Sequence, residues 1–136
     1  MREPVTMEEA GEMLDQIAAE LPPPFFKELN GGILLLPDEK RHPAQGLAGL
    51  YIIGEYHVDP MGLGRYITVY FGSFTQVHGH RTRASQREKL REVLLHEFTH
   101  HLESLAGEKD LAIRDADDIL RYRRGLGKRI EPRYDT

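Results

Sequence analysis

The chain has 136 residues, 40% of them apolar and 29% charged, which suits one domain with a real core and excludes a disordered chain. Its net charge of -4 gives no electrostatic case for nucleic acid or an anionic membrane as a partner. With no cysteine, disulfides, thiolate metal sites and cysteine nucleophiles are excluded, so any metal must be held by His, Asp or Glu.

Residues 1–10 are too polar for a secretory signal, and the longest apolar run, 33–36, is far too short to span a bilayer. A soluble, cytoplasmic protein is the expectation. Thr6 and Glu9 have capping-box spacing, with Val5 and Ala10 placed as a hydrophobic staple. Behind them Met7, Ala10, Leu14, Ile17, Ala18 and Leu21 recur at helical spacing, which predicts an amphipathic helix over 7–21. Pro22-Pro23-Pro24 ends it, and one further helical turn is expected over 25–29.

The continuous apolar run 33–36 reads as a strand buried on both faces. Residues 47–58, rich in β-branched and aromatic side chains, read as a strand interrupted at Gly54. A turn follows over 59–65. Ile67, Val69 and Phe71 then alternate with Tyr66, Thr68 and Tyr70, the clearest period-2 strand in the chain. Ser85 and Glu88 suggest a second capping box opening a long helix over 86–106, ended by Gly107. A last helix is expected over 115–124, before a polar tail. Together these elements predict one α+β domain over 1–136, with a small mixed sheet packed against an N-terminal helix and the long helix.

That long helix carries His96-Glu97-Phe98-Thr99-His100, a match to H-E-x-x-H. Residues four apart stack on one helical face, so both imidazoles can reach a single Zn²⁺. Glu97 lies about 100° around the helix, beside the metal, where it can take a proton from water that the metal has acidified. Five residues can match by accident, so context matters. Leu90, Leu94, Phe98 and Leu105 fall opposite His96 and His100, so one face can anchor in a core while the other opens into a cleft.

Three acidic residues compete as third ligand. Glu103 shares the face of His96 and His100, but three ligands from one straight helix wrap poorly around a tetrahedral metal. Asp110 follows Gly107, where the chain can leave the helix and turn back. Asp115 opens Asp115-Ala116-Asp117-Asp118, where an aspartate is equally expected as an N-cap. His101 points about 100° away from His100, which suits a supporting or solvent-facing role.

With these residues the chain resembles the minimal, single-domain zincin-like metallopeptidases of bacteria, a stripped-down metzincin pattern. The likeness runs through the leading helix ending in Leu21-Pro22, the Gly49-Leu50-Tyr51 region, the Tyr66-Ile67-Thr68-Val69-Tyr70 strand and the Val93-Leu94-Leu95-His96-Glu97 approach. It implies a zincin fold, a zinc-dependent peptidase with Glu97 as general base, and a closing aspartate in H-E-x-x-H-x-x-G-x-x-D. This chain has Glu103 and Ala106 where that glycine and aspartate are expected. Either Gly107 and Asp110 are the same pair displaced by about one turn, or Asp115 is the aspartate after an insertion. The second alternative also places Ile119 and is preferred. The resemblance further implies an edge strand that pairs with the substrate backbone, for which 66–71 is the candidate.

His78-Gly79-His80 reads as an exposed loop pair rather than a second metal site, and loops over 38–46 and 74–83, or a partner, are expected to set specificity. Tyr66 and Tyr70 read as packing residues, and the basic residues from Arg121 to Arg133 as a solvated helix end. The expected substrate is a peptide or protein. The alternatives are a catalytically silent metal-binding regulatory module and a metal-dependent hydrolase of a non-peptide substrate.

Overall fold

The computed structural model describes residues 3–42 and 50–109. The expected helix over 115–124, the basic tail, and both Asp110 and Asp115 lie outside the described residues. Those described form a small α+β domain with three α-helices and a mixed sheet.

Helix α1, Met7–Glu20, begins as its sequence dictates. The Thr6 hydroxyl accepts from the Glu9 amide at 3.1 Å, and the Glu9 carboxylate accepts from the Thr6 amide at 2.9 Å. Two of the amides that a helix start leaves unpaired are thereby satisfied. Val5 and Ala10 are both buried, as a staple requires. Thr6→Ala should cost about 1 kcal/mol of stability, read as a lower urea midpoint with an unchanged slope. After α1, Pro23–Phe26 form a single 3₁₀ turn that buries Phe25.

Strand β1 is Gly32–Leu36, β2 is Lys40–Arg41, β3 is Tyr51–Ile52, β4 is Gly54–Asp59 and β5 is Gly64–Tyr70. The main sheet has the order β1-β5-β4, with β1 parallel and β4 antiparallel to β5; β2 and β3 form a separate antiparallel pair. Two expectations change here. First, β1 is half-buried along its length rather than buried on both faces, because it stands at the rim of the sheet. Second, the 66–71 segment is not an edge strand: β5 is bonded on both sides, to β1 and to β4. Its alternation holds, but alternation reports the faces of a strand and not its place in the sheet. The interruption in the second strand region falls at Ile53, one residue before Gly54.

Phe71, read as part of the strand, instead opens α2, Phe71–His78, which also takes up the first half of the loop expected over 74–83. Phe74 and Val77, three apart, are buried along with His78, which is a helical and not an extended spacing. The Ser73 hydroxyl accepts from the Lys40 amide at 2.7 Å, and the Ser73 amide donates to the Asp38 carbonyl at 3.3 Å. Gly72 permits this approach, since a Cβ there would sit 2.8 Å from the carbonyl oxygens of Pro37 and Asp38.

Helix α3, Arg83–Lys109, starts three residues earlier than expected and passes through Gly107 without stopping. Its cap is Thr82, whose hydroxyl accepts from the Ser85 amide at 3.1 Å, so Ser85 lies inside the helix. The Glu3 carboxylate takes the Arg83 amide at 2.8 Å, which supplies a partner for a first-turn donor. The core lies between α1, α3 and one face of the sheet, and includes Leu14, Ile17, Ile67, Val69, Leu90, Leu94 and Phe98. Among the described residues, no helix is long and apolar enough to cross a membrane.

Candidate functional site

The middle of α3 is buried on nearly every side: Val93, Leu94, Leu95, Glu97, Phe98, Thr99, His101 and Leu102 are all covered. His96 and His100 are the two half-exposed positions in that stretch. The i, i+4 spacing acts as expected. Their Nε2 atoms lie 3.3 Å apart, and the two rings meet edge to face at 89°, with centroids 4.8 Å apart.

Glu97 is fully buried, next to His96 in sequence but turned toward the sheet. There β4 crosses α3 at Gly54. A Cβ on Gly54 would lie 2.9 Å from Val93 Cγ1 and 3.0 Å from Glu97 Oε2. Only glycine lets the strand backbone lie this close to the helix, and a glycine within a strand often marks such an approach. Gly54 stands out in the sequence as an interruption; its role as the crossing point does not.

The opposite side of α3 is an anchor. Phe98 is fully buried, 5.0 Å from Phe26 in an edge contact and 6.2 Å from Phe25. Leu90, Leu94 and Leu105 are buried with it, as the helical wheel predicts.

His101 is not solvent-facing. It is fully buried, with Nε2 2.8 Å from the Lys27 carbonyl oxygen and Nδ1 2.8 Å from the Tyr56 hydroxyl. A carbonyl only accepts, so Nε2 carries the proton and Nδ1 accepts from Tyr56. Burial holds this imidazole below its ordinary pKa, outweighing the Lys27 carbonyl, which pulls the other way. Arg65 donates to the Tyr56 oxygen at 2.8 Å and to the Ser104 hydroxyl at 2.7 Å. Neither Tyr56 nor Arg65 stands out in the sequence, because their partners lie 45 and 39 residues away.

Glu103 is exposed, with a carboxylate oxygen 3.8 Å from His100 Nδ1 rather than beside the Nε2 pair. Among the described residues, no group of three or more His, Asp or Glu side chains is arranged to hold a metal. The expected third ligands, Asp110 and Asp115, are outside those residues. His78 is buried, not exposed, and its Nδ1 accepts from Arg81 Nε at 3.1 Å, while His80 is exposed.

Tyr66, Thr68 and Tyr70 occupy the sheet face away from Glu97, since Ile67 and Val69 alternate with them and fill the core. Tyr66 stacks on His57 with centroids 4.4 Å apart. Tyr70 donates to Glu55 at 2.5 Å, and Lys40 bridges the same carboxylate at 2.7 and 2.8 Å. Burial pushes the Tyr70 hydroxyl above its ordinary pKa, and the bond to Glu55 adds to the rise. The two tyrosines are therefore packing and bracing residues of the outer face, as their strand positions suggest.

No family model matches the chain, and no curated protein matches it. A solved structure does: a conserved hypothetical protein from T. thermophilus is 36% identical, superposes with a TM-score of 0.63, and is matched over 75% of this chain and 98% of its own. At that identity and coverage, this chain belongs to the same family as the T. thermophilus protein.

Proposed function

We propose that the chain is a zinc-dependent metallopeptidase of zincin type, with His96 and His100 as ligands and Glu97 as general base. The observation that carries this reading is the convergence of the two Nε2 atoms at 3.3 Å. Two nitrogens bound about 2.0–2.1 Å from one zinc at a near-tetrahedral angle are about 3.3–3.4 Å apart. The pair fits that requirement without rearrangement. Zinc, when bound, supplies Lewis acidity, polarising a carbonyl and lowering the pKa of water to about 7.

The chain's own residues supply the rest. The Glu97 carboxylate takes the proton of the attacking water and returns it to the departing amine. Its burial where β4 crosses α3 at Gly54 restricts its orientation. Glu103, beside His100 Nδ1, is suited to orienting that imidazole rather than to closing the coordination sphere.

The substrate-pairing role moves from 66–71 to β4. This strand has β5 on one side only among the described residues, and it is the strand that touches α3 at Glu97. An extended peptide added to its outer edge would lie beside the catalytic face, held by backbone hydrogen bonds.

The third ligand we propose is Asp115. Because α3 continues through Gly107, no turn at that glycine brings the following residues back, which weakens the argument for Asp110. Lys109 already lies about 13 Å beyond His100 along the helix axis. Asp115→Asn should weaken zinc binding by at least tenfold, whereas Asp110→Asn should leave it within about twofold. Competition with a chromogenic chelator measures both, and the reverse ranking would reassign the ligand.

The reading is tested by incubating the zinc-loaded protein with unstructured peptides, removing the metal with a chelator and restoring it. Cleavage that disappears and returns supports a peptidase. Metal binding with no cleavage would favour the regulatory module, or a hydrolase of other bonds.

A further inference from the structure

We propose that Tyr56, held by Arg65, is a positioning residue: through His101 it locks the lengthwise register of β4 along α3, and so sets where Glu97 lies relative to the edge of β4 that is unpaired among the described residues. The part that concerns Glu97 rests on the peptidase reading; the register lock stands on geometry alone. On α3, Val93, Glu97 and His101 follow one another at intervals of four and line one face. On β4, Gly54 meets Val93 and Glu97, and Tyr56 meets His101. Two residues of strand rise about 6.6 Å and four residues of helix about 6.0 Å. The Gly54 and Tyr56 contacts are therefore successive rungs between the same two elements.

The rungs differ in kind. At Gly54 the contact resists sliding only by exclusion, since any other residue moved into the crossing would bring a Cβ against Val93 and Glu97. At Tyr56 it is directional. His101 has both ring nitrogens engaged at 2.8 Å, one by the Lys27 carbonyl and one by the Tyr56 hydroxyl. The Tyr56 oxygen in turn accepts from Arg65, and Arg65 also grips Ser104, one turn further along α3. The chain of bonds thus leaves α3 at Ser104, crosses β5 and β4, and returns to α3 at His101. His101 is fully buried and Arg65 is 6% exposed, so water does not readily replace a lost member. A slip of β4 by one residue would put side chains of the outer face against the helix, and this relay resists it.

Tyr56→Phe keeps the ring and removes the hydroxyl. Three quantities are measured on the full chain: zinc affinity, amide exchange of β4, and steady-state cleavage of an unstructured peptide. The expected result is zinc affinity within about twofold of wild type, exchange in Gly54–Asp59 roughly tenfold faster or more, and kcat roughly tenfold lower or more with KM little changed. His101→Asn places an acceptor near the position of Nδ1, whereas His101→Gln places a donor near that of Nε2. The asparagine variant should stay closer to wild type in β4 exchange. Unchanged β4 exchange in Tyr56→Phe overturns the register lock, whether or not the protein cleaves peptides. If wild type cleaves and Tyr56→Phe loses only thermal stability, with kcat intact where it is folded, the positioning role is overturned. If wild type neither binds zinc nor cleaves, the peptidase reading falls, and the exchange result alone decides the lock.

Discussion

Glu97→Gln should lower peptide cleavage by about 10²–10⁴-fold while leaving zinc binding near the wild-type level. That loss corresponds to roughly 2.7–5.5 kcal/mol in the barrier. Two features make the separation sharp. Glu97 lies about 100° around α3 from His96, so it does not share the direction in which His96 and His100 converge. Glutamine also has nearly the shape of glutamate, so the close contact with Gly54 and Val93 survives. What disappears is the ability to take a proton. Kinetics on the zinc-loaded variant and metal content on the same sample measure the two halves together. Loss of both zinc and activity would show that Glu97 acts on the site's architecture instead. Retention of both would remove it as the base.

Phe98→Ala should cost about 3–5 kcal/mol of folding stability, the largest effect expected of a single core truncation here. Phe98 is fully buried, and its ring bridges α3 to the 3₁₀ turn through Phe25 and Phe26. Truncation leaves a cavity that a helix pinned on both sides cannot readily close. Against a typical net stability of about 5–15 kcal/mol, this is enough to leave a marginal fold. Phe98→Leu keeps most of the apolar volume and should cost clearly less. Urea melts of the two variants decide the matter, with equal losses arguing against a tightly packed anchor. The prediction bears on the site because Phe98 holds the face of α3 opposite His96 and His100.

What can be read in the sequence is local. Thr6 and Glu9 are three residues apart and fold into the box that their spacing predicts. Ile67 and Val69 alternate with Tyr66, Thr68 and Tyr70 as a strand requires, and His96 and His100 meet because a helix brings i and i+4 together. What cannot be read is set by partners distant in the chain. The alternation of β5 is the same whether the strand lies at an edge or in the centre, so it does not disclose the central place. α2 is hidden because the strand pattern runs into Phe71, and the helical spacing of Phe74 and Val77 covers less than one turn. Thr82 outcompetes Ser85 as cap, since Glu3, some 80 residues away, satisfies the first-turn amide of Arg83. A helical wheel places His101 off the face of His96 and His100, but says nothing of Tyr56 or Lys27, whose polar atoms engage its two ring nitrogens.

The central claim is that α3 carries a zinc site formed by His96 and His100. Its most direct test is zinc content, measured by elemental analysis of the purified protein after equilibration with zinc and removal of the excess. Wild type should hold about one tightly bound zinc per chain, and His96→Ala and His100→Ala, each still helical by circular dichroism, should hold almost none. A folded wild type without zinc, or alanine variants that retain as much as wild type, would contradict the account.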